Sequence, residues 1–274
     1  MKSLPPGWKE EQTANVGTKL PLATQLFPVA EMLEKDLKGT LIKIKEAGYD
    51  GVEFFGGFNH TAQELKAALD DTGLVCVGWH TPWDYVQPQS LMATITYNRV
   101  LGNTEIVVPG LPAELTGSKE AWLKTAEAFN QLAAKLAPYG MKIAYHNHGN
   151  EFMPMEGDIP WHYFYDNTVA DVGMQFDNGN AWAAGPNTDI YDPIVRYPNR
   201  MRTFHLKPYS LKTGYATTMG EDDIDWAKTF KLAREHQNIE WYIVEYECET
   251  LYTQLEGIEK CLKALRKLED EGKI

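Results

Sequence analysis

The sequence predicts an α/β fold, a single (β/α)8 TIM barrel over residues 1–274. Eight short apolar segments recur along the chain, and a helix or a helix-sized interval follows each of them. Such alternation produces parallel strands joined by right-handed crossovers. No change in composition divides the chain, and 274 residues suit one barrel. An open doubly wound sheet is the alternative, but the segment LPLATQLFP lacks the glycine-rich phosphate turn of that fold.

The first half of the chain alternates strands with helices whose termini are recognisable. Residues 1–16 are polar and proline-rich and are expected to form an arm laid over the barrel. Gly48 is expected to end the first helix. Thr61, with Glu64 three residues later, predicts a capping box, and Gly73 predicts the end of that helix. The predicted strands are residues 20–26, 49–54 and 74–79, and the predicted helices are residues 36–47, 61–72 and 91–101.

The second half keeps the same alternation and completes the set of strands. Ser118 is expected to cap a long helix, and the last helix carries an amphipathic stripe that includes Leu255 and Ile258. The predicted strands are residues 105–108, 141–146, 172–176, 202–206 and 241–245, and the predicted helices are residues 118–137, 161–166, 224–236 and 253–268.

Charge and cysteine content exclude several classes of function. The net charge of −12 opposes binding to a polyanion, because phosphate-backbone affinity depends on Lys and Arg, so no nucleic-acid partner is expected. Cys76, Cys248 and Cys261 fit neither a disulfide framework nor a zinc finger, and are expected to be reduced thiols in a cytoplasmic protein. No apolar run approaches the roughly 18 residues of a membrane span, so no membrane partner is expected.

Acidic, imidazole and other polar side chains recur at the ends of the predicted strands. In a barrel of this kind the active site forms at the C-terminal ends of the strands. An accidental distribution would spread these groups over helices and loops, so the pattern favours a functional site. These strand-end residues are Gln25, Glu53, His80, His146, His148, Glu151, Asp177, His205, Lys207, Glu245 and Glu247.

Each of these residues also has a purely structural interpretation. Glu53 would then pair with a lysine or a backbone group, His80 would close a turn, and Asp177 would form an Asx-turn. A buried, unpaired Glu245 carboxylate would be costly, so a positive group must face it. Converging carboxylates and imidazoles predict one divalent cation, with Mn, Mg, Co and Zn all suitable. The absence of thiolate ligands opposes a structural zinc site.

Aromatic residues are numerous and suggest a small-molecule sugar as the substrate. The chain has 8 Trp and 14 Tyr, whose rings combine an apolar face with a polar edge. Trp79, Trp83 and Trp182 are candidate walls of a sugar site, and ordinary packing is the alternative for each. The strand-end residues Gln25, Glu53 and His80 are the other candidate substrate contacts.

An ordered set of motifs resembles a known family. The chain is similar to the sugar phosphate isomerase/epimerase group of the xylose isomerase-like barrel superfamily, and the resemblance spans nearly its full length. It is specific for the superfamily and not for one reaction. The matching motifs are TQLFPV, EKDLKGTLIKIKEAGYDGVEFFG, ALDDTGLVCVGWHTP, YHNHGNEF, FDNGNAW, HLKPY, IDW and IVEYE.

The resemblance implies a metal held by acids and a histidine on strands five to eight. Asp177, His205 and Glu245 match three of these positions, but the fourth departs from the family pattern. Many relatives have the triplet E-N-H where this chain has H-N-H, followed by Glu151. Either His146 binds the metal or Glu151 supplies the carboxylate. Glu151 is favoured, because three carboxylates preserve the charge that holds a hard cation.

These observations predict a metal-dependent isomerase or epimerase that moves a proton beside the carbonyl of a sugar or keto-sugar. Glu245 or Glu151 would take the proton, His146 or His148 would return it, and Lys207 would stabilise the developing oxyanion. The alternatives are a dehydratase or lyase on a keto-sugar, keto-inositol or 3-keto-glycoside, and a non-catalytic sugar-binding barrel. The acidic charge opposes the endonuclease branch of the superfamily.

The motifs determine neither the identity of the substrate nor the oligomeric state. HLKPY replaces the HLKD of relatives, and MGEDDIDW lacks their GxG turn, so the identity of the substrate does not carry over. No glycine-rich or arginine-rich phosphate cradle is present, which favours a non-phosphorylated sugar. A homo-oligomer is an open alternative, with Trp8 in the arm as a candidate contact.

Overall fold

Eight parallel strands close into a barrel in the computed structural model, which describes residues 19–56, 60–248 and 250–274. Each strand pairs with the next one along the chain, and the first pairs with the last. The predicted (β/α)8 barrel is therefore confirmed, whereas the predicted arm at 1–16 lies outside the described residues. The strands are β1 (Leu22–Gln25), β2 (Gly51–Phe55), β3 (Val75–His80), β4 (Glu105–Val108), β5 (Lys142–His146), β6 (Val172–Asp177), β7 (Thr203–Leu206) and β8 (Trp241–Val244).

Ten α-helices in the described part of the chain surround the strands or extend from their ends. Three short ones, α1, α7 and α8, were not predicted, because five or six residues are too few to show a helical period. The helices are α1 (Ala30–Lys35), α2 (Leu37–Ala47), α3 (Ala62–Thr72), α4 (Leu91–Leu101), α5 (Lys119–Leu136), α6 (Pro160–Tyr165), α7 (Asn178–Trp182), α8 (Asp192–Arg196), α9 (Trp226–His236) and α10 (Gln254–Asp270).

The predicted helix termini agree with the structure. The Thr61 side chain accepts from the backbone N–H of Glu64, whose carboxylate accepts from the backbone N–H of Thr61, so α3 begins with a capping box. Gly48 and Gly73 end α2 and α3 at φ values of 110° and 67°, a left-handed region that glycine enters without steric cost. Each cap satisfies backbone groups that a helix end leaves without partners.

Alternation along the strands divides the interior of the protein into two regions. Side chains that point outward pack between the barrel and its helices, and an aromatic cluster of Trp122, Phe129, Tyr145 and Phe164 fills the space beside β5. Inside the barrel, a small apolar group that includes Ala23, Val77 and Ile243 lies on strands β1, β3 and β8. The polar residues of β5 to β7 that point inward are therefore held on a rigid and closed scaffold.

Glycine makes room for a carboxylate inside the barrel. A Cβ atom at Gly78 would overlap Glu53 Oε1. The pairing of β2 with β3 also shifts register between Val52 and Glu53. The absence of a side chain at Gly78 thus lets Glu53 turn into the barrel at the level of the strand ends.

The three cysteines, Cys76, Cys248 and Cys261, are free, as expected, and all of them are buried. Within the described ranges, the helices are too short or too polar for any of them to span a lipid bilayer.

Candidate metal centre and active site

Histidines and carboxylates from six strands meet inside the C-terminal end of the barrel. Each of these side chains is buried, and the most exposed of them, His80, retains only 7% of its surface. Strands β2, β3, β5, β6 and β7 supply one residue each, and the sixth residue follows β8 directly. The residues are Glu53, His80, His146, Asp177, His205 and Glu245.

His205 stands at the centre of this group and contacts carboxylates through both ring nitrogens. Its Nε2 atom lies 2.7 Å from Glu53 Oε2, and its Nδ1 atom lies 2.9 Å from Glu245 Oε2. Burial alone would lower the pKa of His205, but Glu53, Asp177 and Glu245 raise it well above its ordinary value. A neutral imidazole has only one N–H group. The ring must therefore carry a second proton, or one nitrogen must face another cation.

The geometry of four residues suits a divalent cation. Ligand atoms of His146, Asp177, His205 and Glu245 all lie within 4.8 Å of one another. Asp177 Oδ1 accepts from the backbone N–H of Asn180 at 2.7 Å, whereas its buried Oδ2 has no hydrogen-bond partner. A buried carboxylate oxygen without a partner is costly. Two carboxylates and two imidazoles form an O/N donor set that fits Mn²⁺, Mg²⁺, Co²⁺ or Zn²⁺.

Burial and neighbouring charge act in opposite directions on the two carboxylates of this group. Burial raises the pKa of Asp177. Burial would also raise the pKa of Glu245, but the charge of Lys207 and a hydrogen bond from His205 lower it well below its ordinary value. Glu245 is therefore the more firmly ionised member of the pair.

Sequence analysis left His146 and Glu151 as alternatives, and the structure places them in different regions. The His146 ring belongs to the four-residue group, and its Nδ1 lies 3.1 Å from Gln175 Oε1. Burial lowers the pKa of His146 well below its ordinary value, and His80 and His205 lower it further. A neutral imidazole of this kind retains a lone pair that can bind a metal.

Glu151, the favoured alternative, faces away from the four-residue group. Its Oε1 accepts from the Tyr145 hydroxyl at 2.7 Å, and its Oε2 accepts from the backbone N–H of His148 at 2.8 Å. Tyr145 precedes His146 on β5 and so points to the outer side of the barrel. Its hydroxyl holds Glu151 on that side, and Glu151 is absent from the groups of close ligand atoms found among the described residues.

His148 lies at the mouth of the barrel. β5 ends at His146, so strand alternation does not fix the direction of the His148 side chain. The ring of His148 is nevertheless 5.3 Å from the ring of His146, measured between centroids, and the residue is exposed. An exposed imidazole beside the four-residue group can exchange protons with a bound substrate and with water.

Lys207 is a buried cation beside the same carboxylates. Its Nζ atom lies 2.5 Å from Glu247, 3.6 Å from Glu245 and 4.0 Å from Asp177. Burial would lower the pKa of Lys207, but Glu245, Asp177 and Glu247 raise it well above its ordinary value. Lys207 is therefore a fixed positive charge that can stabilise an anion in the barrel mouth.

Three predicted substrate contacts, Gln25, Glu53 and His80, bind mainly to one another and to the neighbouring residues. Gln25 donates to Glu53 Oε2 at 3.0 Å and accepts from the backbone N–H of Phe27 at 2.7 Å. His80 Nε2 lies 3.1 Å from Glu53 Oε2. Burial alone would raise the pKa of Glu53, but His80 and His205 lower it well below its ordinary value. An ionised Glu53 therefore orients both imidazoles.

Sequence analysis missed Gln175, which connects these residues. Its Oε1 lies 2.7 Å from His80 Nε2, and its amide nitrogen donates to Glu53 Oε1 at 2.7 Å and to the Thr203 hydroxyl at 3.0 Å. The available signal was its position two residues before Asp177, because alternate residues of a strand point to the same side.

Hydrogen bonds of the FDNGN segment (residues 176–180) and the HNH segment (residues 146–148) connect β5, β6 and β7 at the C-terminal end of the barrel. The Asn147 side chain accepts from the backbone N–H of Asp177 at 2.8 Å and donates to its carbonyl oxygen at 2.9 Å. Asn178 Oδ1 accepts from the backbone N–H of Lys207 at 3.2 Å. A Cβ atom at Gly179 would lie 2.5 Å from the Lys207 carbonyl oxygen, so only glycine permits this close approach. These contacts fix the positions of Asp177 and Lys207.

The three candidate aromatic walls occupy different environments. Trp79 is buried, donates from its indole nitrogen to the Gly56 carbonyl oxygen at 2.6 Å and packs against Tyr97. Trp83 stacks on Phe129 of α5 with ring centroids 5.7 Å apart. Both are thus engaged in packing outside the barrel. Trp182 is half-buried on α7, the helix that begins directly after Asp177, and remains a candidate wall of the site.

The sequence and the fold are both similar to those of known proteins. The model of the family described as xylose isomerase-like TIM barrel matches residues 41–268. An inosose dehydratase of Klebsiella pneumoniae is 24% identical over 239 residues, which cover 73% of this chain and 79% of the relative. An inosose dehydratase of Clostridium botulinum is 22% identical over 251 residues, covering 78% and 83% of the two chains.

Solved structures share the same barrel. A sugar phosphate isomerase/epimerase from Parabacteroides distasonis superposes with a TM-score of 0.75 at 22% identity, covering 96% of this chain and 97% of the other. The IolI protein with a bound zinc atom superposes with a TM-score of 0.67 at 16% identity, covering 92% and 99% of the two chains. Because the family model covers most of the sequence, this chain belongs to the xylose isomerase-like TIM barrel family.

Proposed function

We propose that the protein is a divalent-metal-dependent isomerase or epimerase that moves a proton at the carbon beside the carbonyl of a sugar or keto-sugar. The observation that supports this most directly is the group formed by His146, Asp177, His205 and Glu245, whose ligand atoms lie within 4.8 Å of one another. The name of the IolI structure refers to a bound zinc atom, which supports a divalent metal in this protein.

The four residues would hold the cation, with His146 in the place of the family's strand-five glutamate. Asp177 Oδ2 lacks a hydrogen-bond partner, and His205 Nδ1 faces both Asp177 and Glu245. A bound divalent cation supplies polarisation of a carbonyl and its neighbouring hydroxyl, which makes the adjacent C–H bond more acidic. Glu53 would retain the proton on His205 Nε2 and so leave Nδ1 free to act as a ligand.

Two residues would act on the substrate directly. His148, exposed at the barrel mouth, would take a proton from the carbon beside the carbonyl and return it. Lys207, whose buried Nζ lies 3.6 Å from Glu245, would stabilise the negative charge that develops on the substrate oxygen. Return of the proton by His148 to the neighbouring carbon would give an isomer, whereas an epimer would require water or a second side chain to deliver a proton to the same carbon from the opposite face.

Dehydration is the second candidate, because the curated relatives include inosose dehydratases. Loss of a hydroxyl group from the carbon next to the deprotonated one would give an elimination, and the first proton transfer is the same in both reactions. The protein would then be a lyase. We propose a non-phosphorylated substrate in either case, and a cytoplasmic location.

Deuterium exchange tests this proposal most directly. The protein is loaded with Mn²⁺ and incubated in D₂O with free sugars, keto-sugars and keto-inositols, and NMR identifies the carbon that exchanges. We expect exchange at a carbon beside a carbonyl, with an epimer, an isomer or a dehydrated product. No exchange with any of these compounds, at a measured content of one metal ion per chain, would contradict the proposal.

A further inference from the structure

The side-chain amide of Gln175 has a fixed orientation inside the barrel. Its nitrogen donates to Glu53 Oε1 at 2.7 Å and to the Thr203 hydroxyl at 3.0 Å. A rotation of the amide by half a turn would place its oxygen against the Glu53 carboxylate, which can only accept when it is ionised. Gln175 is completely buried, so water cannot compensate for such a mismatch. The Oε1 atom of Gln175 therefore points away from Glu53, toward two histidines.

Two imidazole nitrogens lie within hydrogen-bond distance of this oxygen. Gln175 Oε1 is 2.7 Å from His80 Nε2 and 3.1 Å from His146 Nδ1. An amide oxygen has two lone pairs and no proton, so each of these nitrogens must carry the proton of its own hydrogen bond. His80 Nε2 also lies 3.1 Å from Glu53 Oε2, a second acceptor, which requires the same proton. These contacts place a proton on Nδ1 of His146.

The other nitrogen of His146 is then the one that can bind a metal. Burial, together with His80 and His205, lowers the pKa of His146 well below its ordinary value, so the ring is neutral. A neutral imidazole protonated on Nδ1 carries its lone pair on Nε2. In the described part of the chain, the hydrogen bonding of the His146 ring involves Nδ1 alone. The same ring belongs to the four-residue group whose ligand atoms lie within 4.8 Å of one another.

We propose that Gln175 is a positioning residue that fixes the Nδ1–H tautomer of His146, so that His146 presents its Nε2 atom to a divalent cation. The inference rests on the proposed function in one respect, because it takes the four-residue group as the metal site. The two oxygens of a carboxylate ligand are equivalent, whereas a neutral imidazole offers its lone pair on one nitrogen only. A histidine ligand therefore needs a neighbour that selects the tautomer, and Gln175 fills this role.

NMR of the metal-free protein at neutral pH tests the tautomer directly. In ¹⁵N-labelled protein, the protonated and unprotonated ring nitrogens have different chemical shifts, and the His146 signals are identified by their loss in His146→Gln. Gln175→Met keeps a side chain of similar length but removes the acceptor of the Nδ1–H group. Thr203→Val is the matched control, because it removes another hydrogen bond of the same Gln175 amide and leaves the contacts of its oxygen with both histidines in place.

We expect the wild-type protein and Thr203→Val to carry the His146 proton on Nδ1. In Gln175→Met the proton should move to Nε2 in part or completely. Mn²⁺ affinity, measured by competition with a chelator, should fall about 10- to 100-fold in Gln175→Met, because a ligand in the wrong tautomer cannot bind until it rearranges. Thr203→Val should bind Mn²⁺ as tightly as the wild-type protein does.

A His146 proton on Nε2 in the wild-type protein would overturn the inference, and this measurement does not depend on the folding of any variant. An unchanged tautomer or an unchanged Mn²⁺ affinity in Gln175→Met would overturn it as well. Deuterium exchange by the wild-type protein in either case would leave the proposed function intact. The expected tautomers and affinities, without exchange in any sugar, would support the role of Gln175 and contradict the proposed function.

Discussion

The Nε2 atom of His205 lies 2.7 Å from Glu53 Oε2, and both side chains are completely buried. This contact fixes the orientation of the imidazole and directs its Nδ1 atom toward Asp177 and Glu245. In metal sites, a carboxylate that accepts from the second nitrogen of a histidine ligand fixes the tautomer and increases the basicity of the ligand. Glu53 is therefore expected to influence metal binding without contacting the metal.

Glu53→Gln should weaken metal binding by about 10- to 100-fold, because an amide is a weaker acceptor for the His205 N–H. Glu105→Gln is the control, since this second buried carboxylate bonds to the Thr203 hydroxyl at 3.1 Å and not to a histidine. Mn²⁺ affinity is measured by competition with a chelator. Equal affinities in the two variants would show that Glu53 does not support the ligand His205.

Asp177→Asn should abolish metal-dependent stabilisation and leave the apoprotein folded. An asparagine oxygen can still accept from the backbone N–H of Asn180 and so preserve the start of α7, but it lacks the charge that binds a cation. Saturation at 100 times Kd raises the stability of the wild-type protein by about 3 kcal/mol. Thermal unfolding with and without Mn²⁺ measures this shift, and the exposed Asp171→Asn is the control. A normal metal-induced shift in Asp177→Asn would exclude Asp177 as a ligand.

The sequence was sufficient to identify the barrel and to group several residues of the candidate site for one physical reason. Parallel strands carry their C-terminal ends to the same edge of the barrel. Asp177, His205 and Glu245 could therefore be grouped from their positions in the chain alone. Gln175 was not predicted as a site residue, because it lies within an otherwise apolar strand. Alternate residues of a strand point to the same side, however, so Gln175 points inward with Asp177.

The choice between His146 and Glu151 could not be made from the sequence. It depends on the point at which β5 ends and on the Tyr145 hydroxyl, which holds Glu151 at 2.7 Å on the outer side of the barrel. The position of Tyr145 depends in turn on packing against Trp122 of α5. Such contacts join distant parts of the chain and leave no local pattern.

Gly78→Ala should destabilise the protein by about 1 to 3 kcal/mol, because the new methyl group would overlap Glu53 Oε1 inside a closed barrel. Gly110→Ala is the control, since nothing lies within 4 Å of a Cβ atom there and its effect should stay within about 0.5 kcal/mol. Urea unfolding monitored by tryptophan fluorescence measures the free energy of unfolding of both variants. Equal stability of the two variants would contradict this account of how Glu53 is accommodated.

Asp222→Asn should remove part of the pH dependence of stability. Burial raises the pKa of Asp222 to about 7, despite hydrogen bonds from the Trp226 indole and the backbone N–H of Ile224 that lower it. The native state thus binds this proton more tightly than the unfolded state does, so stability falls as pH rises from about 4 to about 7. Asparagine resembles the protonated form. The free energy of unfolding of Asp222→Asn should equal that of the wild-type protein near pH 4 and exceed it at pH 8. The difference at pH 8 should be only on the order of 1 kcal/mol, because the residue is partly exposed. Urea unfolding measures the free energy of unfolding of the wild-type protein and of Asp222→Asn across this pH range. Parallel curves for the two proteins would contradict the prediction.

Lys207→Met should separate metal binding from catalysis. The Lys207 ammonium lies 3.6 Å from Glu245 and 4.0 Å from Asp177, so it competes with a divalent cation for the same negative charge. Its removal should maintain or increase Mn²⁺ affinity. The same change removes the fixed positive charge proposed to stabilise the substrate oxyanion, so kcat should fall by about 100- to 1,000-fold.

Lys228→Met, which removes an exposed ammonium that lies over the Tyr191 ring, is the control. Metal content and deuterium exchange are measured on the same samples. A parallel loss of metal and activity would indicate that Lys207 supports the structure of the site, whereas unchanged exchange would exclude it from catalysis.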